Sequence, residues 1–157
     1  MKKIFLLLSI IVLAGAGCVQ NISTNQSAYS SDQTVVDLSN KNLSKVEADF
    51  FKNNQIVELN LSNNNISGAL PAEIRNLAKL KILNSSNNQM TGLPAEIGQL
   101  SNLEVLDVSN NQLTGLPYEL GNLQKLKIFN LKGNKYSQKD LEYIKNKLPK
   151  TTEIIVD

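Results

Sequence analysis

Apolar side chains return along most of this chain at fixed offsets, and the offsets themselves return every 23 residues, once 24. The rule is plainest over 103–126. Leu103, Leu106, Val108, Leu113, Leu116, Leu120 and Leu123 carry the apolar positions, Asn111 and Pro117 hold constant places, and Leu126 begins the frame again. The same frame stands at Ile56, Leu59, Leu61, Asn64 and Ile66, at Leu80, Leu83, Ser85, Asn88 and Met90, and at Leu126, Phe129, Leu131, Asn134 and Tyr136. A unit this short buries its apolar side only against copies of itself, so the period predicts a solenoid. Within each unit the paired apolar positions alternate in and out with the period of a strand. A later Leu-Pro-x-x-Ile/Leu-x-x-Leu segment, with Leu93, Ile97 and Leu100 in one unit, closes the core from the opposite side.

The units fall at 33–55, 56–79, 80–102 and 103–125, with a fifth starting at 126. The first is degraded: Gln33 replaces the leading Leu and Lys41 the Asn, while Val36, Leu38, Leu43, Val46 and Phe50 keep the apolar positions. Atypical terminal units are expected where one side has no neighbour to cover it. After Tyr136 the spacing becomes helical. Ser137 suits an N-cap with Asp140 at N3, Leu141, Ile144 and Leu148 repeat on one face, and Pro149 ends the run. Asp140 and Glu142 near its start and Lys145 and Lys147 near its end suit the helix dipole. Residues 153–156 predict one more strand. The chain thus divides into repeats over 33–136 and a helix-plus-strand cap over 137–157.

The frame L-x-x-L-x-L-x-x-N-x-L resembles the leucine-rich repeat family over residues 33–148, and the stretch 66–77 is similar to the convex half of plant-type repeats. The resemblance implies an α/β solenoid of about five coils, with a parallel β-sheet lining its concave side. It further implies binding, most often of proteins, and no chemistry of its own. Asn64, Asn88, Asn111 and Asn134 belong inside such a fold. Where a strand turns away, a carboxamide supplies both donors and acceptors for stranded backbone groups, and the four stack as a ladder. Ser85 stands where Leu61, Val108 and Leu131 stand elsewhere. Its hydroxyl either bonds a neighbouring backbone group or marks a small void.

The first residues follow another pattern. Lys2 and Lys3 precede an apolar run over 4–13, then Ala14, Gly15, Ala16, Gly17 and Cys18, the one cysteine. A short apolar run followed by small residues predicts a cleaved signal segment over 1–17 rather than a spanning helix. The string 13–18 resembles a bacterial lipobox, with Gly15 where that motif prefers Leu. The resemblance implies cleavage before Cys18 and acylation of its sulfur and amine, which anchors the chain in a bilayer at about 0.8 kcal/mol per buried methylene. In an Enterobacteria-like sorting rule, Val19 after the cysteine favours the outer membrane or cell surface over the inner membrane. Residues 18–32 are polar and aperiodic, which predicts a flexible tether with an average reach of about 20 Å.

Composition removes several functions. The chain has no His, so no His-containing triad and no His-based metal site can form. One Cys allows neither a disulfide framework nor a cysteine zinc site. No Gly-rich phosphate loop is present. Lys2 and Lys3 carry the whole formal excess of +2, so the chain beyond residue 17 is neutral and lacks the basic excess of a nucleic-acid binder. Charge is nevertheless uneven: residues 18–124 hold 6 basic and 10 acidic side chains, and residues 125–157 hold 8 and 4. Lys132, Lys135, Lys139, Lys145 and Lys147 read as a solvated face on the cap rather than a site for an acidic partner or lipid.

The ligand-binding candidates are the outward columns of the predicted sheet. One column is Val35, Glu58, Ile82, Val105 and Ile128; the next is Asp37, Asn60, Asn84, Asp107 and Asn130. A third, Ser39, Ser62, Ser86, Ser109 and Lys132, is largely repeat consensus. Four apolar members in the first column point either to an interaction surface or to the strand preference of β-branched residues. Strands about 4.8 Å apart give a face only about 20–25 Å long, less than the roughly 800 Å² per partner of a standard interface requires. Asp37 and Glu58 are the nearest carboxylate pair for a cation or acid–base chemistry, and ordinary surface carboxylates are far commoner. No aromatic lies on the face to stack on a sugar. The sequence thus predicts a non-enzymatic, cofactor-free and metal-free module that binds protein or peptide, the alternative being a structural or adhesive spacer of the envelope.

Overall fold

A computed structural model describes residues 20–22 and 34–157. Residues 1–19 and 23–33 lie outside the described residues, and with them the expected signal segment, Cys18 and most of the tether. Among the described residues ten strands run in chain order: β1 (Gln20–Ile22), β2 (Val35–Asp37), β3 (Leu43–Val46), β4 (Glu58–Asn60), β5 (Ser67–Gly68) and β6 (Ile82–Asn84). They continue with β7 (Gln89–Met90), β8 (Val105–Asp107), β9 (Ile128–Asn130) and β10 (Glu153–Ile155), and α1 (Gln138–Lys147), the one α-helix among the described residues, precedes β10. Six strands make one parallel sheet in the order β10-β9-β8-β6-β4-β2, so sequence neighbours in the repeat are spatial neighbours in the sheet. The α/β solenoid implied by the repeat frame is the observed fold, and Leu103, Leu106, Val108, Leu113, Leu116, Leu120 and Leu123 are all buried in its core.

The opposite side is built from 3₁₀ turns at Ala72–Asn76, Ala95–Gln99 and Tyr118–Asn122, each entered through a proline. Pro71, Pro94 and Pro117 have φ preset near −65° and no N–H to satisfy, and their carbonyls accept from Ile74, Ile97 and Leu120 at 3.1, 3.2 and 3.2 Å. A 3₁₀ helix repeats every three residues. The buried series Ile74, Leu77, Leu80 and its two successors have that spacing, so every turn points one apolar side chain inward. Successive turns nearly touch: a Cβ on Gly98 would lie 2.2 Å from the carbonyl oxygen of Glu119 in the next coil. Glycine is the one residue that permits this approach.

The asparagine ladder forms as expected and is directional. Asn111 accepts the N–H of Met90 at 2.9 Å and donates to Ser85, Val108 and Ser109 carbonyls at 3.0, 3.0 and 3.1 Å. Asn64, Asn88 and Asn134 repeat the arrangement, each accepting from Leu43, Ile66 and Leu113 respectively. Each carboxamide therefore ties its own coil to the preceding one. In the first coil the exposed Lys41 takes the ladder position. The residue before each ladder Asn sits in the left-handed region: Asn63, Asn87 and Asn110 at φ 56°, 54° and 51°, and Gly133 at 73°. Asn tolerates that region better than most side chains do.

Both ends of the array are covered. α1 starts as expected, with the Ser137 hydroxyl accepting from the N–H of Asp140 at 3.3 Å, and it packs on the last 3₁₀ turn through Leu141 and Ile144. β10 extends the sheet, and the carboxylate of Asp157 accepts the N–H of Gly133 at 3.0 and 3.1 Å, where earlier coils use a carbonyl of the next coil. At the other end, three residues of the expected tether fall among the described residues. Gln20–Ile22 is not coil but a strand, β1, paired in parallel with β3. A strand edge carries unpaired N–H and C=O groups, and that backbone demand is independent of the polar composition from which the tether was inferred.

Ser85 does not make the backbone bond that was one of its two predicted forms. It is fully buried, and its hydroxyl is the buried side-chain oxygen without a hydrogen-bond partner among the described residues. Ser85→Ala should raise the unfolding free energy by about 1 kcal/mol by removing an unsatisfied polar group. Equilibrium denaturant unfolding of the two proteins measures this, and an unchanged or lower stability would show the hydroxyl to be satisfied.

Candidate ligand-binding face

Parallel pairing holds the outward positions in register, so the columns expected from the sequence are physical rows. Val35 pairs with Glu58, Glu58 with Ile82, Ile82 with Val105, and Val105 with Ile128; Asp37, Asn60, Asn84, Asp107 and Asn130 align likewise. β10 adds Glu153 and Ile155 to these rows. Val35 is 51 % exposed, while Ile82, Val105 and Ile128 are half-buried by neighbours one strand away. The apolar row is thus solvent-facing but partly shielded by its own packing.

The second row has a structural task that its sequence alone did not reveal. One side-chain oxygen of each member accepts the N–H two residues ahead: Asp37 from Ser39, Asn60 from Ser62, Asn84 from Ser86, Asp107 from Ser109 and Asn130 from Lys132, at 2.9 to 3.2 Å. These are Asx turns, which end each strand. Ser62, Ser86 and Ser109 are consequently buried rather than facing solvent, and the hydroxyls of Ser86 and Ser109 donate to Asn84 and Asp107 at 2.7 Å. The Asx-x-Ser spacing was the available signal. What remains for a ligand is the other atom of each Asx side chain. Asn130 uses its amide on Asp107 at 3.1 Å, whereas the amides of Asn60 and Asn84 donate to nothing among the described residues.

Those two amides line a shallow hollow of about 290 Å³ at the β2–β4–β6 end, together with Val35, Asp37, Glu58 and Ile82. Its two carboxylates form no ion pair among the described residues. The backbone N–H and hydroxyl of Ser39 hold the Asp37 carboxyl below its ordinary value. That direction opposes the raised pKa of a general acid. Among the described residues no group of three or more possible metal ligands exists. Further along, the margin of the face is cationic and self-paired: Glu104 lies 2.6 Å from Lys127 and 3.9 Å from Lys81. Lys127 holds the Glu104 carboxyl below its ordinary value.

On the cap, Lys132, Lys135, Lys139 and Lys145 are exposed and make no ion pair among the described residues, as a solvated face would. Lys147 differs, standing 4.5 Å above the ring of Tyr143, which itself lies 4.4 Å from that of Tyr118. These aromatics are on the convex side of the last coil, away from the sheet.

A family match and solved structures place this geometry among known proteins. A family described as a leucine-rich repeat region matches residues 34–154. No curated protein sequence matches the chain. Among solved structures, a leucine-rich repeat protein of Leptospira interrogans is 38% identical over 71% of this chain, with a TM-score of 0.66. The plant peptide hormone receptor RGFR1, solved in complex with RGF2, is 32% identical over 77% of this chain, with a TM-score of 0.65. This chain spans only 28% of the first and 20% of the second. Internalin C2 of Listeria monocytogenes, at 21% identity, shares the fold over 81% of this chain and 53% of its own, with a TM-score of 0.66. With its repeat frame, its in-register sheet and a family match over most of its length, the chain belongs to the leucine-rich repeat family.

Proposed function

We propose that this protein is a non-enzymatic binding module, lipid-anchored through Cys18 in a bacterial envelope, which docks a protein or peptide on its concave sheet. The observation that carries the docking half is the in-register row Val35, Ile82, Val105 and Ile128, apolar and solvent-facing beside the unpartnered amides of Asn60 and Asn84. A row of apolar side chains flanked by open donors suits a polypeptide, whose backbone supplies carbonyls and whose side chains supply apolar surface. The family's usual role and the peptide hormone receptor among the structural relatives support the same reading. The face is small, so membrane clustering through the anchor would add effective concentration.

A photocrosslinking residue at position 84, introduced in cells, tests the docking half. One discrete protein adduct is expected there and none from position 122 on the convex side; the reverse pattern would favour a spacer. The anchor half rests on the apolar run, the small residues and Cys18, among outer-membrane or cell-surface proteins by its Val19. Mass spectrometry of the mature N-terminus should find an acylated Cys18, and Cys18→Ala should move the protein out of the membrane fraction. An unmodified terminus removes the anchor from the account.

A further inference from the structure

We propose that the hollow at the β2–β4–β6 end of the sheet takes a lysine or arginine side chain of the docked partner, next to an aliphatic one. The inference rests on the concave face being the docking surface and specifies the chemistry of what docks there. Three observations carry it. Asp37 and Glu58, on adjacent strands, face this hollow, and neither meets a basic side chain within ion-pair distance among the described residues. Val35 and Ile82 flank Glu58 on both sides in the same row, about 4.8 Å away. A cationic side chain reaching Glu58 therefore lays its methylene stem on apolar surface while its head meets the carboxylates. The amides of Asn60 and Asn84, with no acceptor of their own, lie within the same hollow to receive backbone carbonyls.

Beyond β6 the rows and their margin carry both signs: Lys81 and Lys127 share Glu104, and Asp107, Lys132 and Glu153 follow. The face is thus anionic at the β2 end and of mixed sign toward β10. Opposite charge therefore favours seating the partner's cation at Asp37 and Glu58. Two carboxylates without a third ligand do not make a cation site, and no aromatic lies on the face among the described residues to stack on a sugar. A polypeptide cation satisfies carboxylates, apolar flanks and amides together.

The probe is a phage-displayed library of random dodecapeptides selected against the full-length chain. Selected peptides should pair Lys or Arg with a neighbouring Val, Ile or Leu more often than the unselected library does. Glu58→Gln should weaken their binding about tenfold, and selection on Glu58→Lys should replace the cation by Asp or Glu. Glu58 is exposed, and circular dichroism with thermal unfolding confirms that both variants fold. Peptides that bind without cationic bias, ignore Glu58→Lys and are lost with Ile82→Asp would overturn this assignment and leave the docking face standing. Peptides indifferent to both substitutions, or a failure to select any, would overturn both.

Discussion

Replacing Asn111 by alanine is expected to lower the unfolding free energy by about 3 kcal/mol, the upper end of the cost of stranding buried backbone groups. The side chain makes four hydrogen bonds to buried backbone, one to Met90 N–H and three to carbonyls of Ser85, Val108 and Ser109. No neighbouring group can take them over, because the coils on both sides already use their own Asn. Two of the four bonds cross to the preceding coil, so the loss falls on the interface between coils, the term that holds a solenoid together. Lys41→Asn is the matching control. It introduces the consensus residue at an exposed position, and stability should change by less than about 0.5 kcal/mol. Denaturant unfolding of the three proteins measures both effects. A loss for Asn111→Ala under about 1 kcal/mol would mean that water or a relaxed backbone satisfies the stranded groups.

Placing aspartates at Ile82 and Val105 together should reduce capture of the crosslinked partner by a hundredfold or more, about 3 kcal/mol, as expected for the centre of a small interface. The two side chains are register partners on β6 and β8, so the change puts two carboxylates side by side in the apolar row. It removes apolar contact and adds charge that a docked aliphatic side chain would have to desolvate. Both residues are half-buried and outward-facing, so the interior of each coil stays intact and the far-ultraviolet circular dichroism should keep its native form. The same charge at Gln99 and Asn122, exposed on the convex side, should leave capture unchanged. Undiminished capture by the Ile82→Asp, Val105→Asp protein would refute docking on the concave sheet and favour the spacer reading.

Much of this architecture was legible because it is local and periodic. The frame around Leu103, Leu106 and Val108 needs only the strand period to place its side chains, and Ser137 with Asp140 needs only the geometry of a helix start. The candidate face was legible for the same reason: residues two apart on a strand share a side, and a constant repeat puts Val35, Glu58, Ile82, Val105 and Ile128 on one row. Where the repeat is broken, the pattern said less. Ser85 was ambiguous until its surroundings were known, since a hydroxyl's energy depends on whether a partner is within reach. Gln20–Ile22 carried no periodic signal, because its pairing with β3 answers to an open strand edge rather than to its own side chains.

By itself the sequence determined that this is a stacked array of coils with an asparagine spine, a capped end and one outward row of aliphatic residues. Those features follow from spacing, and spacing survives without coordinates. The tertiary structure alone decided which polar groups are spent and which are free. Ser62, Ser86 and Ser109 turned out to be buried in Asx turns, Asn130 to be taken by Asp107, and the amides of Asn60 and Asn84 to remain open beside Asp37 and Glu58. The reason is that a hydrogen bond depends on where its partner lies to within a few tenths of an ångström. In this chain many of those partners are a full coil, some 21 to 27 residues, away.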